Sequence, residues 1–399
     1  MSREPAALHV GWHSLHPDPS LNFQLNRWAA YGGPQWLDEV RPVLPRLRDY
    51  ESWRETFLAL GDTAEAKGRS FAAALHVRCA EFFMVPGDPR KAPARRRFLA
   101  LTHEAWPLPE ASRQEIDMSG VRLPVIRLGR GGPHGVLVVF GGFDSYIEEF
   151  VPILLELARR GFDVVAFEGP GQGAVLEEQG VPMTAAWHRP VGAVLDALAL
   201  DDVTLVGISL GGGLAIRAAA KEPRVQRVVA FDVLADFRAC LLGQVPRSRR
   251  PVAQVLSAGR ATGRLFDAMV RAVALHQPVV EWGIGQAMHV FGKPTPHEAL
   301  AAARELSTTE ISRDVRQDVL LLFGEDDHYV GRSQLDQQLG ALRRARSVTA
   351  RIFSRAEQAQ AHCQVGNLPL AIDVIELWLE TLRRRDALER TRERAAPKA

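Results

Sequence analysis

Residues 203–216 read VTLVGISLGGGLAI, an apolar run that passes through Gly-x-Ser-x-Gly into a run of small residues. The first half is typical of a strand buried on both faces of a parallel sheet, and the second half of a helix. A serine between them sits on a sharp strand-to-helix turn, where the flanking glycines leave room for neighbouring backbone. Such a turn directs the hydroxyl out of the carboxyl edge of the sheet. Ser209 is therefore the candidate nucleophile.

Buried apolar runs of the same kind recur on both sides of this turn. They alternate with amphipathic helical patterns, which predicts an α/β fold with a doubly wound, mostly parallel sheet and right-handed crossovers. The sequence predicts its strands at 136–140, 164–167, 203–206, 228–231, 319–323 and 348–353, after short strands between 115 and 128.

Two helical regions fall outside this alternation. Residues 1–113 carry helical patterns without a strand signal, so we predict an N-terminal helical cap domain ahead of a catalytic domain at 114–399. Within that domain, the stretch from about 237 to 316 is too long for a structureless loop and indicates a helical insertion. The tail, 383–399, mixes both signs of charge and is typical of a solvated helix end that frays.

Composition excludes several classes of function. The 399 residues include 49 Lys and Arg against 47 Asp and Glu, a net charge of +2 that argues against a general nucleic-acid binder. No apolar run is long enough to span a membrane, and the N-terminus lacks the apolar core of a secretion signal. We therefore expect a cytoplasmic enzyme that acts on a small, weakly polar organic molecule, with no nucleic-acid or membrane partner.

An unassisted serine is a poor nucleophile, so a base and an orienting acid should follow it in the chain. The turn Gly-Glu-Asp-Asp comes directly after the strand predicted at 319–323, and its last residue, Asp327, is the candidate acid, with Asp326 as the alternative. His362 follows the last predicted strand and is the candidate base, with His328 as its rival. The resulting order of serine, aspartate and histidine is that of α/β-hydrolases.

Acyl transfer also needs N–H donors for an oxyanion. The Gly-Gly-Phe-Asp turn after the strand predicted at 136–140 contains Gly142 and Phe143, and the N–H of Phe143 is expected to act together with that of Leu210. An ordinary glycine turn is the alternative interpretation.

Other cofactor motifs are not met. The run GPGQGA at 169–174 lacks the third glycine of a dinucleotide-binding fingerprint, and neither a P-loop nor a zinc-binding HExxH helix occurs. The three cysteines have no metal-like spacing and do not form a disulfide framework. We therefore expect no cofactor and no metal.

Longer motifs carry a resemblance beyond the general fold. They are FQLNRW at 23–28, FGGFDSYIEE at 140–149, GISLGG at 207–212 and AHCQVGN at 361–367. Together they resemble a group of α/β-hydrolases with an N-terminal helical cap, which includes 2,6-dihydropseudooxynicotine hydrolase, the fungal polyketide-shortening hydrolases and relatives of the fermentation-respiration switch protein. The resemblance extends from about residue 21 to 382.

The resemblance implies hydrolysis of a carbon–carbon bond next to a ketone, in a β-diketone, polyketide-like or aryl-ketone substrate, without a cofactor. It implies that Ser209, Asp327 and His362 match the triad and that the Gly142–Phe143 loop matches the oxyanion loop. The helical domain would cap the serine site, and relatives often form dimers, which makes a homodimer an expectation.

Candidate substrate contacts are two acids and four aromatic residues: Asp232, Asp144, Trp28, Tyr31, Phe83 and Trp282. For Asp232, a carboxylate that does not contact substrate is the alternative, and for the aromatic residues the alternative is ordinary core packing.

Two further functions stay open. One is an esterase, thioesterase or acyltransferase with the same triad, and the other is a binding protein that kept the fold without the chemistry.

Overall fold

The computed structural model describes residues 8–259 and 261–395 and places a mostly parallel sheet at the centre of the chain. Its eight strands are β1 (Arg113–Met118), β2 (Val121–Leu128), β3 (Val136–Phe140), β4 (Asp163–Phe167), β5 (Val203–Ile208), β6 (Val225–Phe231), β7 (Asp318–Gly324) and β8 (Ser347–Phe353). They lie in the order β1-β2-β4-β3-β5-β6-β7-β8. The β1–β2 hairpin joins β4 antiparallel, and the other neighbours pair in parallel. The predicted α/β fold with a doubly wound, mostly parallel sheet is confirmed.

Alternate residues of each strand feed apolar cores on opposite faces of this sheet. Val139 and Val206 belong to one core, which also contains the N-terminal helices, whereas Val138 and Leu205 belong to the other. Successive side chains of a strand point to opposite faces, and both faces are covered. This double burial is why the central strands read as continuous apolar runs in the sequence.

The helices of the described residues are α1 (Pro19–Val40), α2 (Tyr50–Ala66), α3 (Ser70–Phe82), α4 (Lys91–Ala105), α5 (Val151–Arg159), α6 (Gly173–Glu177), α7 (His188–Leu198), α8 (Leu210–Ala219), α9 (Phe237–Gly243), α10 (Arg250–Ala258), α11 (Gly263–Ala274), α12 (Pro278–Phe291), α13 (Pro296–Glu305), α14 (Arg332–Ala341) and α15 (Leu368–Ala395). Gly33 has a non-helical φ of 61° and ψ of −152°, so α1 consists of two helical segments that meet at a kink. Within the described residues, the helices do not combine the length and apolar composition needed to cross a membrane.

The N-terminal helices, α1 to α4, are tied to the loop after β3 by buried ion pairs. Arg78 of α3 is almost fully buried and donates to Glu149 at 2.7 Å, to Glu81 on its own helix and to the carbonyl oxygen of Asp144. Tyr146 donates its hydroxyl to Glu81 at 2.9 Å. Charges removed from water are stable only when paired and hydrogen-bonded, so the N-terminal helices and this loop form one packed unit.

The helices between β6 and β7, α9 to α13, lie in the region predicted as an insertion, and they reach the N-terminal helices. Trp282 of α12 donates its indole N–H to the carbonyl oxygen of Phe82 at 2.8 Å. Its ring stacks on that of Phe82 with centroids 4.9 Å apart. The two helical regions therefore meet directly.

The tail from residue 383 onward continues as helix in its described part and is exposed from residue 387 to 392, which agrees with a solvated helix end, whereas its fraying stays a prediction. α15 continues to Ala395, well past the predicted end at 382, and residues 396–399 lie outside the described residues. Arg385 donates both terminal nitrogens to Asp318, at 2.8 and 2.6 Å, and Arg346 pairs with Asp386 at 3.0 Å. These side-chain pairs fix the helix end against β7, because bidentate arginine–carboxylate bonds are among the stronger surface contacts.

Replacing Arg78 by methionine should weaken the junction between the N-terminal helices and the catalytic part of the chain. Buried Glu81 and Glu149 would each lose one of two cationic partners, with Lys91 and Arg27 remaining, so we expect a cost toward the lower end of the about 3–5 kcal/mol for breaking a buried ion pair. Urea denaturation monitored by tryptophan fluorescence would detect the loss of stability as a first unfolding transition at a lower urea concentration than in the wild type. Arg159→Met, which removes an exposed arginine paired with Glu156, is the matched control and should leave the transition in place. A transition of Arg78→Met that coincides with wild type would contradict this account.

Candidate active site

Ser209 occupies the turn between β5 and α8 in a strained backbone conformation. Its φ of 61° and ψ of −124° are unusual for a residue with a side chain. Glycine is required at positions 207 and 211 because neighbouring backbone atoms approach the Cα atoms closely. A Cβ on Gly207 would lie 1.9 Å from the carbonyl oxygen of Gly211, and one on Gly211 would lie 2.6 Å from that of Gly141. The Gly-x-Ser-x-Gly pattern is therefore dictated by backbone packing around the serine.

The structure brings Ser209, His362 and Asp327 into one hydrogen-bonded row. The Ser209 hydroxyl lies 2.8 Å from Nε2 of His362, and Nδ1 of His362 lies 2.6 Å from Oδ2 of Asp327. The other carboxylate oxygen accepts the N–H groups of Tyr329 at 2.7 Å and Val330 at 2.9 Å. Because a carboxylate only accepts, Nδ1 carries the imidazole hydrogen and Nε2 is free to accept from the serine.

The two alternatives from the sequence lie outside this row. Asp326 points outward and pairs with Arg355 at 2.7 Å. His328 is packed between the rings of Phe23 and Tyr329, with centroids 5.0 and 3.8 Å away. Burial lowers the pKa of His328 to about 4, so its imidazole stays neutral at physiological pH.

Asp232 lies behind His362 and is absent from the cavity lining. The residue has no exposed surface, so the expectation that it contacts substrate is wrong for this structure. Its Oδ2 accepts the N–H of Cys363 at 2.9 Å and lies 3.3 Å from Nδ1 of His362, while Oδ1 accepts the N–H of Val233 at 2.7 Å. Asp232 directly follows β6, and its carboxyl supports the loop that carries His362 and Cys363 by accepting the Cys363 N–H.

The two carboxyls beside His362 titrate in opposite directions. Burial and the neighbouring Asp327 charge raise the pKa of Asp232 to about 7. Burial acts to raise the pKa of Asp327 too, but the His362 imidazole outweighs it and lowers that pKa to about 2. For His362, burial acts to lower the pKa, and the Asp327 charge outweighs it and raises the pKa well above its ordinary value. Asp327 therefore carries the permanent negative charge, and Asp232 is the second, titrating acid.

Asp232, His362 and Cys363 also place side-chain donor atoms within 4.8 Å of one another. Burial raises the pKa of the Cys363 thiol, so it stays protonated, and its sulfur lies 3.5 Å from the carbonyl oxygen of Phe231. The Asp232 oxygens are already occupied by backbone N–H groups. This donor set suits a hydrogen-bonded core better than a cation, since metal-binding cysteines are thiolates.

The predicted oxyanion residues lie beside the serine turn. A Cβ on Gly142 would lie 2.8 Å from the backbone nitrogen of Leu210 and 3.1 Å from Cβ of Ser209, so the loop after β3 touches the turn. Within the described residues, the N–H groups of Phe143 and Leu210 donate to no protein acceptor. Gln172, which sequence reasoning passed over as part of an ordinary turn, donates to the carbonyl oxygens of Gly141 and Gly142 at 2.6 and 3.2 Å.

A cavity opens above this row, with about 140 Å³ available to the centres of water molecules. Among the predicted contacts, Phe143, Asp144, Tyr31 and Trp282 line it together with Ser209 and His362. Much of the remaining wall is apolar, with contributions from Phe150, Ile153, Ile208, Leu234, Phe237, Leu241, Val279 and Leu368. It is a mostly apolar pocket with a few polar groups, the usual form of a site for a small organic molecule.

The expectation that Trp28 and Phe83 line the cavity is wrong. Both are buried in the core of the N-terminal helices, where Trp28 packs on Tyr31 and Phe83 packs on Trp53. The cavity-facing side of α1 is instead formed by Phe23, Gln24, Arg27 and Tyr31. Sequence reasoning missed Gln24 and Arg27, although their positions relative to Phe23 and Tyr31 fit one helix face.

A mostly parallel sheet whose central strand delivers a strained serine to its carboxyl edge, with helices closing over it, is the architecture of the α/β-hydrolase class. The chain belongs to the alpha/beta hydrolase family, whose profile matches residues 134–366. The chain is therefore a hydrolase.

Curated relatives confirm the resemblance carried by the sequence motifs. The chain is 28% identical over 370 residues to hydrolase acrC of Aspergillus aculeatus, covering 79% of this chain and 84% of the relative. It is 29% identical over 339 residues to 20-hydroxy-prefusarin hydrolase FUS2 of Gibberella moniliformis, covering 74% and 79%. It is 31% identical over 199 residues to 2,6-dihydropseudooxynicotine hydrolase of Paenarthrobacter nicotinovorans, covering 47% and 53%.

Solved structures show the same fold. AbyA5 superposes with a TM-score of 0.64 at 22% identity, covering 94% of this chain and 99% of that chain. The 2,6-dihydroxy-pseudo-oxynicotine hydrolase structure gives a TM-score of 0.58 at 20% identity, covering 82% and 87%.

Replacing Asp232 by asparagine should lower the pKa of His362. The substitution keeps the size of the side chain but removes a carboxyl that ionises near neutral pH, 3.3 Å from Nδ1. A negative neighbour favours the imidazolium, so its removal favours the neutral ring. NMR titration of protein with isotope-labelled histidine, with His362 assigned by its own substitution, would measure the shift. Asp326→Asn removes an adjacent exposed acid and should leave the value unchanged; an unchanged value in Asp232→Asn would refute the electrostatic role.

Proposed function

We propose that the protein is a serine hydrolase that cleaves a carbon–carbon bond next to a ketone through an acyl-enzyme on Ser209. The observation that carries the proposal is the hydrogen-bonded row from the Ser209 hydroxyl through His362 to Asp327, at 2.8 and 2.6 Å. The carbon–carbon bond is supported by the resemblance to the helical-cap hydrolases, which implies cleavage next to a ketone.

The reaction would begin when Nε2 of His362 takes the proton of the Ser209 hydroxyl. Its ring is already held by Asp327, which stabilises the imidazolium that forms. The raised pKa of His362 makes it a strong base once its ring is neutral. The serine oxygen then adds to the ketone carbonyl, and a tetrahedral oxyanion results.

The oxyanion would lie between the backbone N–H groups of Phe143 and Leu210. Leu210 follows the serine directly and the loop that carries Phe143 touches the serine turn at Gly142, and both N–H groups are unpaired within the described protein, which supports them as the donors. The N-terminus of α8 adds a favourable dipole at the same point. Gln172 and Arg78 hold the Gly141–Asp144 loop in place, so the donors need little rearrangement during the reaction.

Collapse of the tetrahedral intermediate would break the carbon–carbon bond and leave its electron pair on the departing carbon as an enolate. The His362 imidazolium returns its proton to that carbon, and a ketone departs. Water then attacks the acyl–serine ester with His362 as base, and the products are a carboxylic acid and free Ser209. One water is consumed for each bond cleaved, and the chemistry uses protein groups throughout.

The walls of the cavity favour such a leaving group. Trp282 from the insertion and Tyr31 from α1 close over the serine with the apolar residues of the lining, so the N-terminal helices would act as a cap. Exclusion of bulk water strengthens the electrostatic contacts in the site and protects the enolate until it is protonated. An esterase, thioesterase or acyltransferase would use the same serine, and substrate tests separate these alternatives.

A fluorophosphonate probe should label the wild-type protein once, on Ser209, because the histidine-activated hydroxyl attacks phosphorus as it would a carbonyl. Ser209→Ala should remain unlabelled, as measured by intact mass. Ser145→Ala, which removes a second serine from the cavity lining, should still be labelled. Labelling of Ser209→Ala to the wild-type extent would refute the assignment of the nucleophile.

The bond that is cleaved can be tested by comparing a β-diketone with p-nitrophenyl esters. The proposal expects the diketone to yield one acid and one ketone per turnover and Ser209→Ala to yield neither. Rapid ester cleavage with no diketone cleavage would reject the carbon–carbon bond and favour the esterase alternative.

Replacing Gly142 by alanine should reduce kcat by about 10²-fold or more, the usual cost of losing an oxyanion donor. The added Cβ would sit 2.8 Å from the Leu210 nitrogen, in the space assigned to the oxyanion. Gly340→Ala, in α14 where an added Cβ meets no atom within 4 Å, is the matched control and should retain activity. Wild-type kcat in Gly142→Ala would place the oxyanion elsewhere.

A further inference from the structure

One face of α1 crosses the cavity wall from the histidine towards the loop after β3. Phe23 contacts the His362 ring, with centroids 6.1 Å apart, and Arg27, one turn further on, reaches Asp144 and Glu149. Gln24 lies between these two residues on the same face. An α-helix rises about 1.5 Å per residue, so Gln24 and Arg27 lie about 1.5 and 6 Å along the helix axis from Phe23, which contacts His362.

Gln24 is a buried amide without a protein partner. Its residue is 1% exposed, and within the described chain its side-chain oxygen, Oε1, is buried without a hydrogen-bond partner. It lines the cavity, and among the described lining residues it is the one whose buried oxygen is left unpaired. A buried polar group without a partner is destabilising, so such a group facing a cavity indicates that the ligand supplies the partner.

Arg27 has donor capacity left over. Its guanidinium donates to Glu149 through one terminal nitrogen, and the other nitrogen lies 3.7 Å from Asp144, too far for a hydrogen bond. The side chain also faces the cavity. Glu149 and Asp144 keep this arginine charged in the interior, and a guanidinium offers five N–H donors in a fixed fork.

We propose that Gln24 and Arg27 form a polar subsite that binds a second oxygen of the substrate, the β-carbonyl or its enol, beside the carbonyl that Ser209 attacks. The inference rests on the proposed serine chemistry and specifies its substrate as a β-dicarbonyl. In the enol form, the substrate hydroxyl donates to Oε1 of Gln24. Cleavage proceeds from the keto tautomer, in which that proton has moved to the carbon between the two carbonyls and the β-carbonyl oxygen accepts from Arg27. When the carbon–carbon bond breaks, its electron pair passes from the departing carbon onto this oxygen as the enolate, and Arg27 stabilises the charge until His362 protonates the carbon.

Binding to the inactive Ser209→Ala protein tests the subsite independently of turnover. The probes are dibenzoylmethane, a β-diketone, and dihydrochalcone, the same skeleton without the second oxygen, each measured by isothermal titration calorimetry. We expect dibenzoylmethane to bind at least tenfold more tightly. Adding Gln24→Leu should bring the two affinities to within about twofold, whereas adding Gln35→Leu, an exposed glutamine of the same helix, should preserve the difference.

Arg27→Lys provides a second measurement that retains the charge and the pairing with Glu149. We expect it to lose part of the preference for dibenzoylmethane while keeping the wild-type melting temperature, because an ammonium cannot reproduce the fork of donors. Equal binding of the two probes, including no binding of either, would overturn the subsite. Ester cleavage without diketone cleavage, combined with the expected binding preference, would refute the carbon–carbon proposal and leave the subsite standing.

Discussion

The guanidinium of Arg78 is the contact on which the site depends. It is buried between two parts of the chain, with one bond to Glu149 at 2.7 Å and another to the carbonyl oxygen of Asp144. Glu149 in turn accepts the N–H of Tyr146 at 2.9 Å. One arginine of α3 thus holds the loop that lies against the serine turn, so the N-terminal helices help to position that loop.

Burying so many charges is tolerable because they balance. Arg27, Arg78 and Lys91 of the N-terminal helices pair with Glu81 of α3 and with Glu149 and Asp144 of the loop after β3, three positive groups against three negative. Removing one of these charged side chains leaves its partner as a buried, less well paired charge. Moving the whole cluster would break several ion pairs at once. These ion pairs therefore favour a single conformation of the junction. N–H donors can be preorganised only if the backbone that carries them is held rigidly in this way.

Much of the fold and the central row could be predicted because backbone geometry leaves few choices. Strands buried on both faces must read as apolar runs, and the residues that follow them, Ser209, Asp327 and His362, must gather at one sheet edge. The functional importance of Gly207 and Gly211 could be predicted from the sequence because a residue with a side chain does not fit at either position. The direction of a side chain could not be predicted in this way. Trp28 and Arg27 are neighbours in sequence, yet the rotation of α1 sends the tryptophan into the core and the arginine into the cavity.

Asp232 shows the same limit at the end of a strand. Its position after β6 predicts nearness to the site, but whether the carboxyl points up to substrate or down beneath the histidine depends on the loop that holds Cys363. That loop bends through positive φ at Cys363 and Gln364, which no local pattern signals. Buried there, the acid sits where it can act only through His362. The polar side chains that we propose to select substrate, Gln24 and Arg27, lie on the other side of the cavity, on α1, where they interrupt the apolar wall. The row of Ser209, His362 and Asp327 and the proposed selecting helix are thus separate elements, and Glu149 of the loop after β3 accepts from both Arg27 of α1 and Arg78 of α3.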